Sequence, residues 1–448
     1  MTYALAGAGG QIPSRVTLPQ IAIFSGSVLI LLIFSQGWIS LFTAGATAAP
    51  ESTLVRNMFF PAYGLAVVGL ALAPGDTFKA LLRQPFLIAL MLIVAASTFW
   101  SIAPDHTARR VFAVWCTTLG AVVVGARYRW AQLAEVMATA IGILAVVSVF
   151  AAVLFPSLGR MTELFPGAWR GLWPEKNALG GNMALGFAIA GGAAFLNPKR
   201  AWLWCGVAAG ALFLVIMSTS KTSLVALMLG AAGLAFVYLV KRARPMAVAA
   251  SWIALAGIGA LAAFILLNPA MFFEILGKDA TLTGRTQIWA GVMRQIAEHP
   301  WLGYGYFAVW DDVSGWGPLA WIASDARFTP QHAHNSWLEQ WLGLGIFGLV
   351  AWVLLYLQTA VTTIVSAYRH NGAYLAFPVL LVYSLTTLTE SVAVTYNDMR
   401  WVIFVCLAVK MALPDPPVLD QATRRAPSAT VTTLHPSRTA ASTRRSRV

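Results

Sequence analysis

Residues 201–240 read AWLWCGVAAGALFLVIMSTSKTSLVALMLGAAGLAFVYLV, and this stretch decides the fold class. Two long apolar runs flank the polar segment 218–223, whose Lys221 is the only charged residue in the stretch. Each run is about as long as the ~20 apolar residues that one membrane crossing needs. The pattern is therefore typical of two membrane-spanning helices joined by a tight polar hairpin.

The rest of the chain has the same character. Of its 448 residues, 58% are hydrophobic and only 10% are charged, whereas soluble domains carry about 25% charged residues. This composition excludes a soluble enzyme, a nucleic-acid-binding protein and a disordered chain. Hydropathy windows of about 19 residues predict an all-α, polytopic membrane protein with about twelve spans, near residues 20–43, 57–74, 84–101, 110–126, 132–156, 177–196, 201–218, 222–240, 246–268, 336–366, 373–393 and 399–413.

The distribution of basic residues predicts the orientation. Of the 30 Lys and Arg residues, 18 lie on the side of the membrane that holds the tail, and 12 lie on the other side. Because cytoplasmic loops are enriched in Lys and Arg, we expect both termini in the cytoplasm and an even number of spans. The net charge of +13 then reflects loops that face an anionic leaflet. We expect a membrane domain over residues 1–413 and a disordered, basic cytoplasmic tail over 414–448.

One large loop, from about 269 to 335, lies on the opposite side of the membrane, outside the cytoplasm, in the predicted topology. From Thr286, apolar residues recur at helical spacing, with Thr283 as a candidate N-cap and Pro300 as a stop. We expect this helix to lie along the membrane surface, with its apolar face on the spans or in the headgroups. The Trp and Tyr residues that follow it suit either a membrane interface or a sugar-binding surface.

Cations close to the membrane are the first candidates for function, because such charges are costly unless they are paired or used. Lys221 sits in a hairpin too short to carry it far into water, although its side chain could simply snorkel to the interface. Arg285 lies at the start of the loop helix, where helix and guanidinium together make an anion site. The alternative for Arg285 is an ordinary ion pair with Glu274 or Asp279.

His332 and His334 are two of only six histidines. The pair could ligate a metal, but no third ligand is evident nearby, and we expect no metal and no cofactor. A neutral histidine beside a basic cluster can instead act as a general base. A histidine that is merely hydrogen-bonded in a loop is the remaining alternative.

The cationic segments together indicate an anionic substrate at the outer leaflet. No P-loop, no GxGxxG after a strand and no acidic metal pair is present, so the sequence does not favour nucleotide-driven chemistry. An activated group outside the cytoplasm would have to arrive on a lipid. A lipid-linked pyrophosphate fits, since arginine and lysine can hold its leaving group without a metal.

Four short motifs follow one another over residues 165–350: Trp169-Arg170-Gly171 with Lys176-Asn177, then Ser220-Lys221-Thr222, then Thr283-Gly284-Arg285-Thr286, and finally His299-Pro300 with Gly303-Tyr304-Gly305 and His332-Ala333-His334-Asn335. In order and spacing they resemble the O-antigen ligase and polysaccharide polymerase superfamily, and within it the ExoQ-type exopolysaccharide polymerases. The span count, the cytoplasmic termini and the single large loop are also what that family has.

The resemblance implies a metal-independent, inverting glycosyl transfer from an undecaprenyl-pyrophosphate-linked oligosaccharide to an acceptor glycan. Arg285 would hold the donor pyrophosphate and His334 would activate the acceptor hydroxyl. Lys221 would also bind the donor, although the family usually has arginine there, and this departure removes bidentate geometry. Further substrate contacts would come from Arg170, Lys176, His332 and Arg327.

Polymerisation of repeat units is the function that the resemblance favours, with a chain-length regulator, export proteins and membrane lipids as further partners. Ligation of O-antigen to lipid A-core is the alternative within the family. A lipid-linked-sugar transporter is the alternative from another class. It would predict inverted repeats and broken helices at mid-membrane, and the sequence shows no internal repeat.

Overall fold

The computed structural model describes residues 17–43, 53–162, 165–267, 285–413 and 415. Within these ranges the chain forms helices and no strand. The helices are α1 Leu18–Phe34, α2 Ile39–Thr43, α3 Thr53–Asn57, α4 Phe60–Leu72, α5 Pro74–Leu82, α6 Pro85–Ala96, α7 Pro104–Arg127, α8 Trp130–Leu154, α9 Pro156–Gly159, α10 Lys176–Leu196, α11 Ala201–Met217, α12 Lys221–Arg242, α13 Arg244–Leu267, α14 Arg285–Glu298, α15 Pro318–Ala326, α16 Ser336–Arg369, α17 Ala373–Thr389 and α18 Met399–Ala412.

The protein is an all-α, polytopic membrane protein, as the composition predicts. Among the described residues, seven helices are long and apolar enough to cross a membrane, and the pair α5–α6, bent by 90°, would make eight. Two shorter apolar helices, α1 and α17, add to these. Each of the twelve apolar segments predicted from the sequence contains a helix, while the number of spans stays a prediction. The tail beyond residue 415 lies outside the described residues.

The last helix, α18, lies at the centre of the bundle. Eleven of its 14 residues are buried, as expected for a helix that is hydrophobic all round. It packs against α7, where Gly125 allows close approach: a Cβ at Gly125 would lie 2.8 Å from the carbonyl oxygen of Cys406. Small residues permit such close contacts between helices in a membrane. This central position fixes the start of α18, and with it Arg400, at one end of the bundle.

Helix α16 breaks at Gly345, and the large loop forms hydrogen bonds with the backbone at this break. Gly345 has φ 65° and ψ −167°, a conformation that glycine adopts without the steric cost of a Cβ. The segment after α14 uses the backbone groups at this break: Tyr304 N donates to Leu342 O (3.0 Å), Gly305 N to Gly343 O (2.9 Å), and Ile346 N to Pro300 O (2.9 Å). The loop is therefore hydrogen-bonded into a transmembrane helix.

The large loop also has a small core of its own. Ile288, Val292 and Ile296 on one face of α14 pack with Ile322 of α15 and Leu342 of α16. The helix predicted from Thr286 is thus confirmed, and its apolar face is buried against α15 and the first turns of α16. The candidate N-cap Thr283 lies outside the described residues. This core holds the first residue of α14, Arg285, against one end of the bundle.

Candidate functional site

One cavity of about 380 Å³ collects most of the charged residues singled out by the sequence. Its lining contains Lys176, Lys221, Arg285 and Arg400, together with Glu390. The other lining residues are mainly hydroxyl-bearing, namely Thr219, Ser220, Thr222, Ser223, Thr386 and Thr389. We call this the cationic cavity. Lys176, Lys221 and Arg285, predicted from separate segments, therefore share one site.

Four helices start at the cationic cavity, each with a cation at its N-terminus. Lys176, Lys221 and Arg285 are the first residues of α10, α12 and α14, and Arg400 is the second residue of α18. A helix N-terminus carries a partial positive charge and unpaired N–H groups, so it disfavours cations and favours anions. Cations placed at four converging helix starts create a strongly positive site. The arrangement suits an anion that carries more than one charge.

Local sequence explains two of these helix starts. Ser220 is the N-cap of α12 and its side chain accepts a hydrogen bond from Ser223 N (3.4 Å). Asp398 caps α18 by accepting from Arg400 N (2.7 Å), and its carboxylate also accepts from the Arg400 guanidinium Nε (3.0 and 3.1 Å). Gly180 lets α10 approach this region, because a Cβ there would lie 2.5 Å from Ser223 Oγ.

Arg285 is fixed by the C-terminal end of α17. Its guanidinium donates to Thr389 O (2.6 Å) and to Glu390 Oε1 (2.7 Å), and its side chain is 11% exposed. The ion pair that the structure shows is with Glu390, whereas Glu274 and Asp279, the partners considered from the sequence, lie outside the described residues. The pair leaves Arg285 in the lining of the cationic cavity.

Glu390 also binds His334. The distance from His334 Nδ1 to Glu390 Oε2 is 3.0 Å. A carboxylate at Nδ1 favours the tautomer that carries its proton there, which leaves Nε2 with a free lone pair. The hydrogen bond with His334 and the positive charge of Arg285 both favour the charged form of this carboxylate. Glu390 is therefore ionised at neutral pH, and it links the candidate base to the candidate anion-binding arginine.

The loop that carries His334 is held at several points. Ala333 N donates to Glu339 Oε2 (2.9 Å), and Ala333 O accepts from Trp289 Nε1 (2.9 Å). His334 has φ 50°, a left-handed conformation that a non-glycine residue adopts only when its surroundings fix it. His332 supports the turn, because its Nδ1 accepts from His334 N (3.2 Å).

His332 differs from His334 in its surroundings. Burial and the neighbouring His334 outweigh the attraction of Glu390 and lower the pKa of His332 to about 3. The imidazole is consequently neutral, and its Nδ1 is already occupied by the backbone of His334. His332 is thus placed to orient His334.

His332, His334 and Glu390 form a triad whose ligand atoms lie within 4.8 Å of one another, close enough to hold a metal ion. Its third member was not evident in the sequence. Both carboxylate oxygens of Glu390 are, however, engaged by Arg285 and His334. A divalent cation would have to displace a guanidinium in a site that is already positive. The arrangement fits an ion-pair network better than a metal centre.

Arg170 and Arg327 do not reach the cationic cavity. The guanidinium of Arg170 donates to Leu158 O (2.8 Å) and Ser157 O (2.9 Å), and so it connects its loop to α9. Arg327 ends α15 in a left-handed conformation (φ 64°) and is exposed. Lys176 does reach the cavity, with its Nζ 3.5 Å from the ring centroid of Phe165.

Glu390 and Arg400 were not predicted as site residues. The sequence contains a signal for Glu390, since it lies inside the apolar segment 373–393, where a charge is costly. Arg400 follows Asp398 at the start of another apolar segment and carries the same signal. With these two and Asp398, four cations face two carboxylates, which leaves two positive charges when the histidines are neutral.

Comparison with known proteins assigns the domain around this site. Residues 206–353, which contain Lys221, Arg285 and His334, match the O-antigen ligase family, Wzy_C. The segment around the site is therefore similar to the O-antigen ligase domain. The resemblance predicted from the four motifs is thus confirmed.

Two relatives agree with this domain. The chain is 28% identical over 289 residues to the O-antigen ligase of Pseudomonas aeruginosa, an alignment that covers 63% of this chain and 58% of the relative. It is 31% identical over 195 residues to the exopolysaccharide production protein ExoQ of Rhizobium meliloti, with 40% of this chain and 43% of the relative covered. The chain therefore matches less than two thirds of the length of either relative.

Proposed function

We propose that this protein transfers a glycan from an undecaprenyl-pyrophosphate-linked oligosaccharide to the hydroxyl of an acceptor sugar. The observation that carries the proposal is the convergence of four helix N-termini, each bearing a cation, on one cavity. The excess of two positive charges matches the two negative charges of a pyrophosphate diester. The match of residues 206–353 to the O-antigen ligase family supports a role in glycan assembly.

The donor binds through its pyrophosphate. Arg285 and Lys221 contact the phosphate oxygens, and Lys176 and Arg400 add charge from the other two helix starts. The hydroxyl groups of Ser220 and its neighbours in the cavity lining donate hydrogen bonds to phosphate or sugar oxygens. Lys221 acts as a point charge without the bidentate geometry of arginine.

His334 is the general base. The acceptor O–H approaches His334 Nε2, which takes the proton while the oxygen forms a bond to the anomeric carbon. The bond from that carbon to the phosphate oxygen breaks, and the lipid pyrophosphate leaves with the electron pair. A single displacement of this kind inverts the anomeric configuration. The leaving group gains one negative charge, and the cations of the cavity stabilise it more strongly than the bound donor.

Glu390 supports both the base, His334, and the donor-binding residue, Arg285. It holds His334 in the tautomer that can accept a proton, and it stabilises the imidazolium that forms. Through its other oxygen it fixes the guanidinium of Arg285. Because side chains supply the positive charge, the scheme requires no metal ion.

The reaction takes place on the periplasmic side of the inner membrane, with both termini in the cytoplasm. This orientation is supported by the direction of the helices. α10 and α12 begin at the cationic cavity and end near Lys199 and near Lys241 and Arg242, respectively. The basic clusters therefore lie at the bundle end opposite the cavity, where the positive-inside rule places the cytoplasm.

Polymerisation of repeat units is our first candidate, and it is supported by the relative ExoQ. Ligation to lipid A-core is the second candidate, because the relative with the longer alignment is named an O-antigen ligase. The two reactions share the donor and differ in the acceptor. The site geometry is compatible with both.

A gene deletion separates the candidates through the glycans that remain on the lipid carrier. A polymerase mutant accumulates single repeat units on undecaprenyl pyrophosphate, whereas a ligase mutant accumulates long chains that are not transferred. Complementation with the wild-type gene should restore the product, and His334→Asn should not. Normal glycan in the deletion strain, or full complementation by His334→Asn, would contradict the proposal. Transfer by the purified protein in EDTA would test the metal-free scheme directly.

A further inference from the structure

A second cavity lies at the opposite end of the bundle, on the outer surface between α13 and α16. It measures about 530 Å³ and is lined by Arg244, Val248, Ser251, Trp252 and Leu255 of α13 and by Tyr368 of α16. α12 runs from Lys221 at the cationic cavity to Arg242, and α13 begins two residues later. The two cavities are therefore separated by the length of a membrane-spanning helix. We call the second one the α13–α16 groove.

The α13–α16 groove changes from polar to apolar along its length. Arg244 is the first residue of α13, and Ser251 Oγ lies 2.8 Å from Tyr368 Oη about two turns further on. Trp252 and Leu255 follow and are 67% and 61% exposed. From Arg244 to Leu255 the helix rises about 16 Å at 1.5 Å per residue. That length is close to half of the ~30 Å hydrocarbon core, which is the depth of one leaflet.

The polar end of the groove is strongly basic. Lys241 and Arg242 precede Arg244, and Arg369 follows Tyr368. The sequence contains no Asp or Glu over residues 218–267 or over residues 340–389. Apart from the first turn of α16, the two helices that form the groove therefore contain no carboxylate side chain. An anion from outside the chain is the natural counter-charge.

We propose that the α13–α16 groove binds an anionic phospholipid. The phosphate lies against the Arg244 guanidinium, and the Ser251 and Tyr368 hydroxyls face the glycerol region. One acyl chain runs along Val248, Trp252 and Leu255 toward the middle of the bilayer. The cationic end selects anionic over zwitterionic lipid, and the length of the groove fits one leaflet. This proposal is independent of the reaction assigned to the cationic cavity.

Native mass spectrometry of the purified, detergent-solubilised full chain tests the proposal. The protein is titrated with phosphatidylglycerol and, separately, with phosphatidylcholine of the same acyl composition. Wild-type protein should retain phosphatidylglycerol preferentially. Arg244→Gln should weaken that binding about fivefold, since one basic residue near an anionic headgroup contributes about that factor. Lys199→Gln removes an exposed cation at the same end of the bundle, outside the groove, and is the matched control.

A second pair of variants keeps the charge and tests the groove itself. Val248→Trp fills the apolar part and should reduce retention of phosphatidylglycerol, whereas Val225→Trp places the same bulk on an exposed position of α12 and should not. Two results would overturn the proposal. One is equal retention of the two lipids by wild-type protein, and the other is a loss in Arg244→Gln no larger than that in Lys199→Gln.

Discussion

Glu390→Gln should uncouple His334 from Arg285 and the cationic cavity while it preserves side-chain volume. Glu390 accepts from Arg285 through one oxygen (2.7 Å) and bonds His334 through the other (3.0 Å). Glutamine offers one acceptor oxygen for these two donors, so one contact to a charged or polar partner is lost, at a cost of about 1.5–3 kcal/mol. If the amide N–H₂ faces His334, the imidazole takes the opposite tautomer and loses its free Nε2 lone pair. Loss of a general base lowers the rate constant by about 10²–10⁴-fold.

The assay is the initial rate of glycan transfer by purified protein in proteoliposomes, with lipid-linked oligosaccharide extracted from the deletion strain as donor. We expect kcat to fall in Glu390→Gln by at least about 10²-fold. The tautomer is read independently from ¹⁵N shifts of histidine-labelled protein, which contains only six histidines. Glu298→Gln, at the exposed far end of α14, is the control and should keep its activity. A Glu390→Gln enzyme with a kcat within threefold of the control would refute the reasoning.

Three further predictions concern binding, pH and backbone conformation. Lys221→Ala should raise KM for the lipid-linked donor at least about tenfold, and Lys221→Arg should restore it; an equal effect of Lys199→Ala would show that the loss is not specific to the site. The pKa of His332 is about 3 in the folded protein and near 6.5 when it is unfolded. Between these two pH values the unfolded chain therefore binds one more proton than the folded protein. Acidification below pH 6.5 should then lower the free energy of unfolding by up to about 1.4 kcal/mol per pH unit. The melting temperature of His332→Asn should fall less steeply over this range, and parallel curves for the two proteins would contradict the assignment. Gly345→Ala should lower the melting temperature, because a Cβ makes the left-handed backbone at this position costly. Gly206→Ala is the control and should leave the melting temperature unchanged, since nothing lies within 4 Å of its added Cβ. Equal melting temperatures of the two variants would count against a strained break at Gly345.

Part of the candidate site could be predicted because its residues violate local rules. Lys221 stands alone between two apolar runs, and Arg285 begins a helix where a negative charge would be favoured. Each of these anomalies is visible in a few consecutive residues, and both side chains line the cationic cavity. Arg170 looked equivalent in sequence but donates to backbone carbonyl groups of the short helix α9. Sequence alone could not separate a guanidinium that binds backbone from one that faces a cavity.

The pairing of Glu390 with His334 and Arg285 depended on tertiary structure. The contacts span 56 and 105 residues of sequence, and no local pattern indicates which carboxylate meets which base. The pairing arises because the end of α17 packs beside the starts of α14 and α16. The break at Gly345 contributes as well, since it gives the loop backbone groups to bond within a transmembrane helix.

The sequence by itself determined that the chain is a bundle of apolar helices, because a bilayer requires long apolar segments whose backbone groups bond internally. It also indicated which charged residues are unusual, because a charge near lipid is energetically costly and such residues stand out within apolar segments. Only the tertiary structure decided that four helix starts meet at one cavity and that Glu390 joins His334 to Arg285. Hydrophobic segments are specified residue by residue along the chain, whereas the meeting of helix ends depends on how all the helices pack together.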